Sequence, residues 1–91
     1  MLEEIENLPG DTSAAYRAEC YYEVAIASGQ LNELFKMAKA QRTAVDLDPF
    51  DPYYRLELCQ SLAAQGDMRG AEDMYKQAMT LPDFADVYDN F

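Results

Sequence analysis

Ala27-Ser28-Gly29-Gln30-Leu31 and Ala64-Gln65-Gly66-Asp67-Met68 spell one turn twice: a small residue, a polar residue, Gly, a helix-starting polar residue and an aliphatic. A turn that recurs implies a structural unit that recurs, and an internal period of roughly 20 to 50 residues marks a repeat architecture. Such units stack side by side and present extended surfaces to other proteins. The duplication therefore points to a binding module.

Outward from these turns, the apolar spacing is helical rather than alternating. The first long helix is expected from about Thr12 to Ser28, with Asp11, Thr12 or Ser13 as N-cap, Ala18, Tyr21, Tyr22 and Ala25 on one face, and Gly29 as its end. The second runs from about Gln30 to Leu47. It carries Leu31, Leu34, Ala38 and Val45 on one side and Met37, Ala40, Ala44 and Leu47 on the other, so it packs between neighbours. At Asp51-Pro52 a carboxylate can cap free amides while Pro fills the first helical position with φ already set, so a third helix starts there and reaches Gln65. Asp67 caps a fourth helix, to about Leu81, in which Ala71, Met74, Tyr75 and Ala78 form one stripe and Glu72 pairs with Lys76 outside it. Short helices are expected at both ends, over Leu2, Ile5 and Leu8 and over Phe84, Val87, Tyr88 and Phe91.

Composition bounds what the chain does. Its 91 residues make one small domain, and 49% apolar residues with seven Tyr and four Phe argue against disorder. Seventeen acids against seven bases give a net charge of −10, which disfavours non-specific phosphate binding and favours a basic protein surface as partner, so no nucleic-acid ligand is expected. The two cysteines, Cys20 and Cys59, lack the spacing of a zinc site or a disulfide framework and read as small core residues in a reducing compartment. The opening Met1-Leu2-Glu3-Glu4-Ile5-Glu6 is acidic where a signal peptide is basic, and no apolar run nears the roughly 20 residues of a membrane span. A cytoplasmic protein without membrane insertion is expected.

Catalysis has no foothold. The chain contains no His, no base is placed to activate a Ser or Thr, and no Gly-rich phosphate loop occurs. Asp46, Asp48 and Glu57 match three positions of a calcium loop, but Phe50 and Asp51 replace the fifth ligand and the required Gly, so these acids read as helix caps. Neither metal nor cofactor is expected, and the chain reads as no enzyme.

Gly66-Asp67-Met68 followed by Ala71, Tyr75, Ala78 and Leu81-Pro82 resembles the second helix of a tetratricopeptide repeat (TPR). Leu58, Cys59 and Leu62 resemble its first helix, and Leu47-Asp48-Pro49-Phe50-Asp51-Pro52 its inter-repeat turn. The resemblance implies an all-α fold of antiparallel helix-turn-helix units stacked as a short right-handed solenoid. The expected divisions are an N-terminal segment 1–11, a degenerate repeat 12–48, a well-formed repeat 52–82 and a capping helix or tail 83–91. Two departures mark the first repeat. Bulky Tyr22 stands where the family prefers a small residue, and Gly29 and Gly66 lie 37 residues apart against the usual ~34, implying about one extra turn in the second helix.

In such a stack the first helix of each repeat lines the concave surface. The resemblance assigns Tyr16, Glu19, Cys20, Glu23, Ile26 and Ala27 to it in the first repeat, and Tyr53, Leu56, Glu57, Gln60, Ala63 and Ala64 in the second. Of these, Tyr16, Glu19, Glu23, Ile26, Tyr53, Leu56, Glu57 and Gln60 are the candidate protein-binding residues. Tyr16 and Tyr53 each lie thirteen residues before their glycine and are expected at equivalent sites. Aromatic rings beside carboxylates suit a protein segment with apolar anchors and Lys or Arg. Family members that grip the acidic C-terminus of heat-shock chaperones use Lys, Arg and Asn at these places, and Glu19, Leu56 and Gln60 argue against that activity. Lys36, Lys39 and Arg42 form a basic stripe on one outer face.

The expected function is a small adaptor, chaperone or assembly factor that binds a protein segment in its concave groove. Two alternatives belong to other classes: an acidic inhibitor mimicking nucleic acid, and a structural subunit of a larger assembly. With two repeats where about three are usual, self-association or incorporation into a hetero-complex is expected.

Overall fold

The computed structural model describes residues 2–91, which form six helices and no strand. These are α1 (Leu2–Glu6), α2 (Ala14–Gln30), α3 (Leu34–Leu47), α4 (Pro52–Ala64), α5 (Met68–Met79) and α6 (Phe84–Asp89). Each long helix packs on the next in the chain, α1 lies on α2, and α6 lies over α4 and α5. None is long and apolar enough to cross a membrane.

Local chemistry sets the helix starts. Ser13 accepts from the Tyr16 N–H (3.1 Å), Asp51 from the Tyr53 N–H (3.0 Å) and Asp67 from the Gly70 N–H (2.9 Å). Each cap satisfies an amide the helix cannot, a contribution of about 1 kcal/mol. Pro52 occupies the first turn of α4. Glu72 and Lys76 pair on the outside of α5 at 2.9 Å.

The first turn departs from the sequence reading. Gly29 does not end α2; the helix continues to Gln30, and α3 begins at Leu34 rather than Gln30. The left-handed residue is Asn32 (φ 59°), whose counterpart is Gly66 (φ 86°). Asn tolerates this region better than other residues with a Cβ, because its short amide bonds locally. Gly29 serves a different need: a Cβ there would stand 3.0 Å from Met37 Sδ, so its absence leaves room for the Met37 side chain.

Asn32 and Gly66 are 34 residues apart, and the turn hydrogen bonds repeat at that interval. The Glu33 N–H donates to Ser28 O (2.8 Å) as Asp67 N–H does to Leu62 O (2.9 Å), and Asn32 N–H donates to Gly29 O as Gly66 N–H does to Ala63 O, both at 3.0 Å. Hence the extra turn expected in the second helix is absent. α3 has 14 residues against 12 in α5, short of a whole extra turn, and the larger surplus of the first unit sits at the start of α2, which has 17 residues against 13 in α4. The same interval places small Ala25 opposite Cys59 and Tyr22 opposite Leu56, so Tyr22 does not intrude at the small position.

Small residues dominate the helix contacts. Ala18, Ala25, Ala44, Ala71 and Ala78 are all buried, letting backbones approach. α3 buries two sides, as expected, but Ala44 and Leu47, expected beside Met37 and Ala40, join Ala38 and Val45 instead. Its Ala38 and Val45 pack with Tyr54, Leu58 and Leu62, and its Ala40 packs with Ile5, Val24 and Ala25. Leu31, expected on that helix, lies in the turn and is 71% exposed.

Gln41 is 5% exposed, and its Oε1 has no hydrogen-bond partner among the described residues. An unpaired buried acceptor costs about 1–3 kcal/mol, so Gln41→Met, which keeps the chain length and removes the acceptor, is expected to stabilise the fold by about 1 kcal/mol in urea unfolding. A comparable loss would instead mean that the amide is paired. At the turns, Gly66→Ala is expected to cost about 1–2 kcal/mol, whereas Asn32→Gly is expected to be neutral or stabilising. Equal effects at both sites would remove the left-handed constraint as the shared feature.

Candidate functional site

The first helices of the two units meet through tyrosines. Asp51 fixes the first turn of α4 by capping the Tyr53 amide, which sets Tyr53 at the helix start facing α2. There its hydroxyl shares a 2.6 Å hydrogen bond with that of Tyr22, from the middle of α2, and the rings meet edge to face with centroids 5.4 Å apart. Buried Tyr54 stands behind both, 5.9 Å from Tyr22 and 6.1 Å from Tyr53. Phe91 closes the cluster with its ring 5.7 Å from Tyr53.

The electrostatic setting is one-signed. Burial, the hydrogen bond with Tyr22 and the Glu57 carboxylate all push the Tyr53 phenol well above its ordinary range. Burial and the negative charges of Asp51, Asp48 and Glu19 push Tyr54 up to about 12. Both phenols therefore stay neutral at physiological pH. Glu19, Glu23 and Gln60 are exposed on α2 and α4, and Glu57 is half-buried. Arg55 is turned away, bonding to Pro49 O and to Gln77, and Arg17 bonds to Pro9 O and Thr12 O.

The structure redistributes the candidate residues. Tyr16 lies in the first turn of α2, 53% exposed, and Tyr53 is half-buried in the cluster, so the two are not equivalent. The equal spacing to a glycine misled because Gly29 is not the turn residue. The 34-residue interval instead pairs Glu19 with Tyr53, Tyr22 with Leu56, Glu23 with Glu57 and Ile26 with Gln60. Leu56, expected on the binding surface, is only 3% exposed and belongs to the interior, because its face of α4 is covered. Sequence reasoning missed Tyr22, Tyr54 and Phe91 as members of the cluster. The tandem pairs Tyr21-Tyr22 and Tyr53-Tyr54 were the available signal.

The calcium-like acids do not assemble. Among the described residues, no group of three His, Cys, Asp or Glu is arranged to hold a metal ion. Asp48 and Asp51 instead join Asp83 and Asp86 around an open cleft of about 550 Å³, beside Phe50, which is 75% exposed. Cys20 and Cys59 are free and half-buried, and burial pushes the Cys59 thiol up, away from the reactive thiolate.

The raised phenols make a pH expectation. Unfolded tyrosines ionise near pH ~10 while Tyr53 and Tyr54 hold their protons, so the contribution of these two to stability is intact below that pH and fades as pH rises above it. An alkaline titration followed by phenolate absorbance is expected to show Tyr53 and Tyr54 among the last of the seven tyrosines to ionise. Simultaneous ionisation of all seven would dissolve the cluster as described.

No protein-family model matches this chain, and no curated protein and no solved structure is similar enough to it to count as a match.

Proposed function

We propose that this chain is a non-catalytic interaction module of the TPR type, a small adaptor, chaperone or assembly factor that receives a protein segment on the face formed by α2 and α4. The carrying observation is the Tyr22–Tyr53 pair, which joins the two units by a 2.6 Å hydrogen bond with Glu57 alongside. Half-buried rings with Glu57 and Glu19 nearby favour a segment that brings apolar anchors and Lys or Arg: the ring faces accept the apolar part and the cation, and the carboxylates pair the charge. The 34-residue interval between the left-handed turns supports the TPR resemblance, since that is the family's usual spacing.

A second reading, the acidic mimic of nucleic acid, draws on the gathering of Asp48, Asp51, Asp83 and Asp86 at one cleft. It has less support, because Asp51 is already engaged as a helix cap and the other acids are distributed over several helices. The two readings differ in salt response: phosphate-like mimicry is strongly salt-sensitive, and apolar anchoring is not.

The test uses the full chain as bait for affinity capture from its native cell, with captured proteins quantified by mass spectrometry. Tyr53→Ala and Glu57→Lys are each expected to reduce capture of the principal partner by at least about ten-fold, the effect of losing a central aromatic or charge-paired contact. Lys39→Ala is expected to leave it unchanged. Retention by both α4 variants with loss on Lys39→Ala would move the site to the α3 face. Circular dichroism of each variant separates a lost contact from a lost fold.

A further inference from the structure

We propose that the outer face of α3 on one copy of this chain docks against the α6 end of a second copy, so that the protein self-associates through two unlike patches. The first patch is Lys36, Lys39 and Arg42, all exposed, with Phe35 beside them. The second is the exposed row Asp83, Asp86 and Asp89, whose first two acids share an open cleft with Asp48, Asp51 and Phe50. Neither patch includes Tyr22, Tyr53 or Glu57, so the inference does not rest on the reading given for the α2–α4 face.

Charge says what each patch takes. Three of the chain's seven bases lie on the α3 face, and Lys39 and Arg42 have no ion-pair partner among the described residues. Lys36 pairs only with Glu33 of its own helix start, at 3.1 Å. The cleft beside α6 has four carboxylates among its lining residues and no Lys or Arg. Carboxylates gathered in this way repel one another, and bases brought from outside relieve them. The two rows also match in spacing: Lys36, Lys39 and Arg42 stand at i, i+3 and i+6, and so do Asp83, Asp86 and Asp89. Asp83 is the N-cap of α6 and Asp89 its last residue. Each row therefore advances by about 4.5 Å per step, and three ion pairs form in one register. The middle pair, Lys39 with Asp86, meets whichever way the two helices run.

Exposed ion pairs contribute little each, so apolar contact supplies the affinity and the charges supply the register. Phe35 and Phe50, 79% and 75% exposed, are the two most exposed large apolar side chains among the described residues, and one stands at each patch. Docking removes from water the apolar surface that the fold itself leaves most open. The occupant is a second copy because the chain carries both halves of the contact, matched in sign, spacing and exposed ring. The net charge of −10 opposes approach at long range, but salt screens that repulsion beyond about 8 Å, whereas the facing rows are in contact. Two unlike patches either close into a two-fold dimer, where the contact forms twice, or grow head to tail. One helix face against one short helix is a small contact, so the association is weak and reversible.

Sedimentation velocity of the full chain, loaded from about 1 μM to about 1 mM, is expected to show species larger than the monomer whose share rises with concentration. Lys39→Glu and Asp86→Lys are each expected to weaken this association about ten-fold or more, although they shift the net charge in opposite directions. Mixing the two variants is expected to restore it, because each then supplies the charge that the other lacks, and restoration shows that both are folded. Phe35→Ser is expected to weaken association with circular dichroism unchanged. Lys76→Glu, which alters charge as Lys39→Glu does but on the outside of α5, is expected to leave association intact; an equal loss there would assign the effect to net charge and overturn the proposal. A wild-type chain that stays monomeric throughout also overturns it, as does a mixture no more associated than its components.

Discussion

One backbone position per unit, Asn32 in the first and Gly66 in the second, carries the chain through positive φ, and the packing of both units follows from it. At that position the chain reverses, and the next amide reaches back to the carbonyl five residues earlier. The second helix must then lie along the first at a distance set by the side chains between them. That distance is short because the contact positions hold Ala, or Gly at Gly29, and larger residues fill the space beside them. The relation between units is set by α3 packing against α4. Tyr22 and Tyr53, which come from different units, therefore meet at hydrogen-bond distance.

Charge is used unevenly across the molecule. Several acids work at helix starts, where partial positive charge and free amides await them: Asp51 and Asp67 bond directly to backbone N–H groups. Two arginines spend their donors on carbonyls of loops, Arg17 on the segment before α2 and Arg55 on the segment before α4. These uses remove arginine charge from the α2–α4 face while the carboxylates of Glu19, Glu23 and Glu57 remain there. The face is negative because its bases are employed elsewhere, as well as because the chain is acidic overall. The exposed Glu72–Lys76 and Glu33–Lys36 pairs add little to stability, since water screens them.

Much of this fold was legible in the sequence, and the limits of that reading have a physical cause. Asp51-Pro52 fixed the start of α4, and Ala71, Tyr75 and Ala78 fixed the buried stripe of α5, because capping and helical periodicity are local properties. The turn after α2 was misread because glycine serves two purposes. At Gly66 it supplies a backbone angle, while at Gly29 it supplies room for Met37 inside a helix. Only the second unit follows the usual choice; the first uses Asn32 for the angle. Assigning both glycines one role shifted the comparison between units by three residues, from 37 to 34. Since three residues are most of a helical turn, the shift exchanged Tyr16 for Glu19 as the counterpart of Tyr53. It also hid Tyr22. Leu56 failed for a separate reason, because periodicity places a residue on a face without saying which faces a neighbouring helix will cover.

The two sides of the stack are finished differently, and aromatic content explains how. Over α4 and α5, the short helix α6 brings Phe84 and Tyr88 onto Tyr75, with ring centroids 5.9 and 6.2 Å away, and Phe91 onto Tyr53. A helix of six residues is held there by ring-to-ring contacts, because aromatic edges pack specifically. On the other side, α1 offers Ile5 as its one buried side chain. An aliphatic residue covers less surface than a ring. Neither side is fully closed: no residue of α6 is buried and Tyr88 and Phe91 stay 50% and 42% exposed, while beside α1 Leu2 and Leu31 stay 48% and 71% exposed, so aromatic pairing holds α6 in place and one aliphatic side chain holds α1.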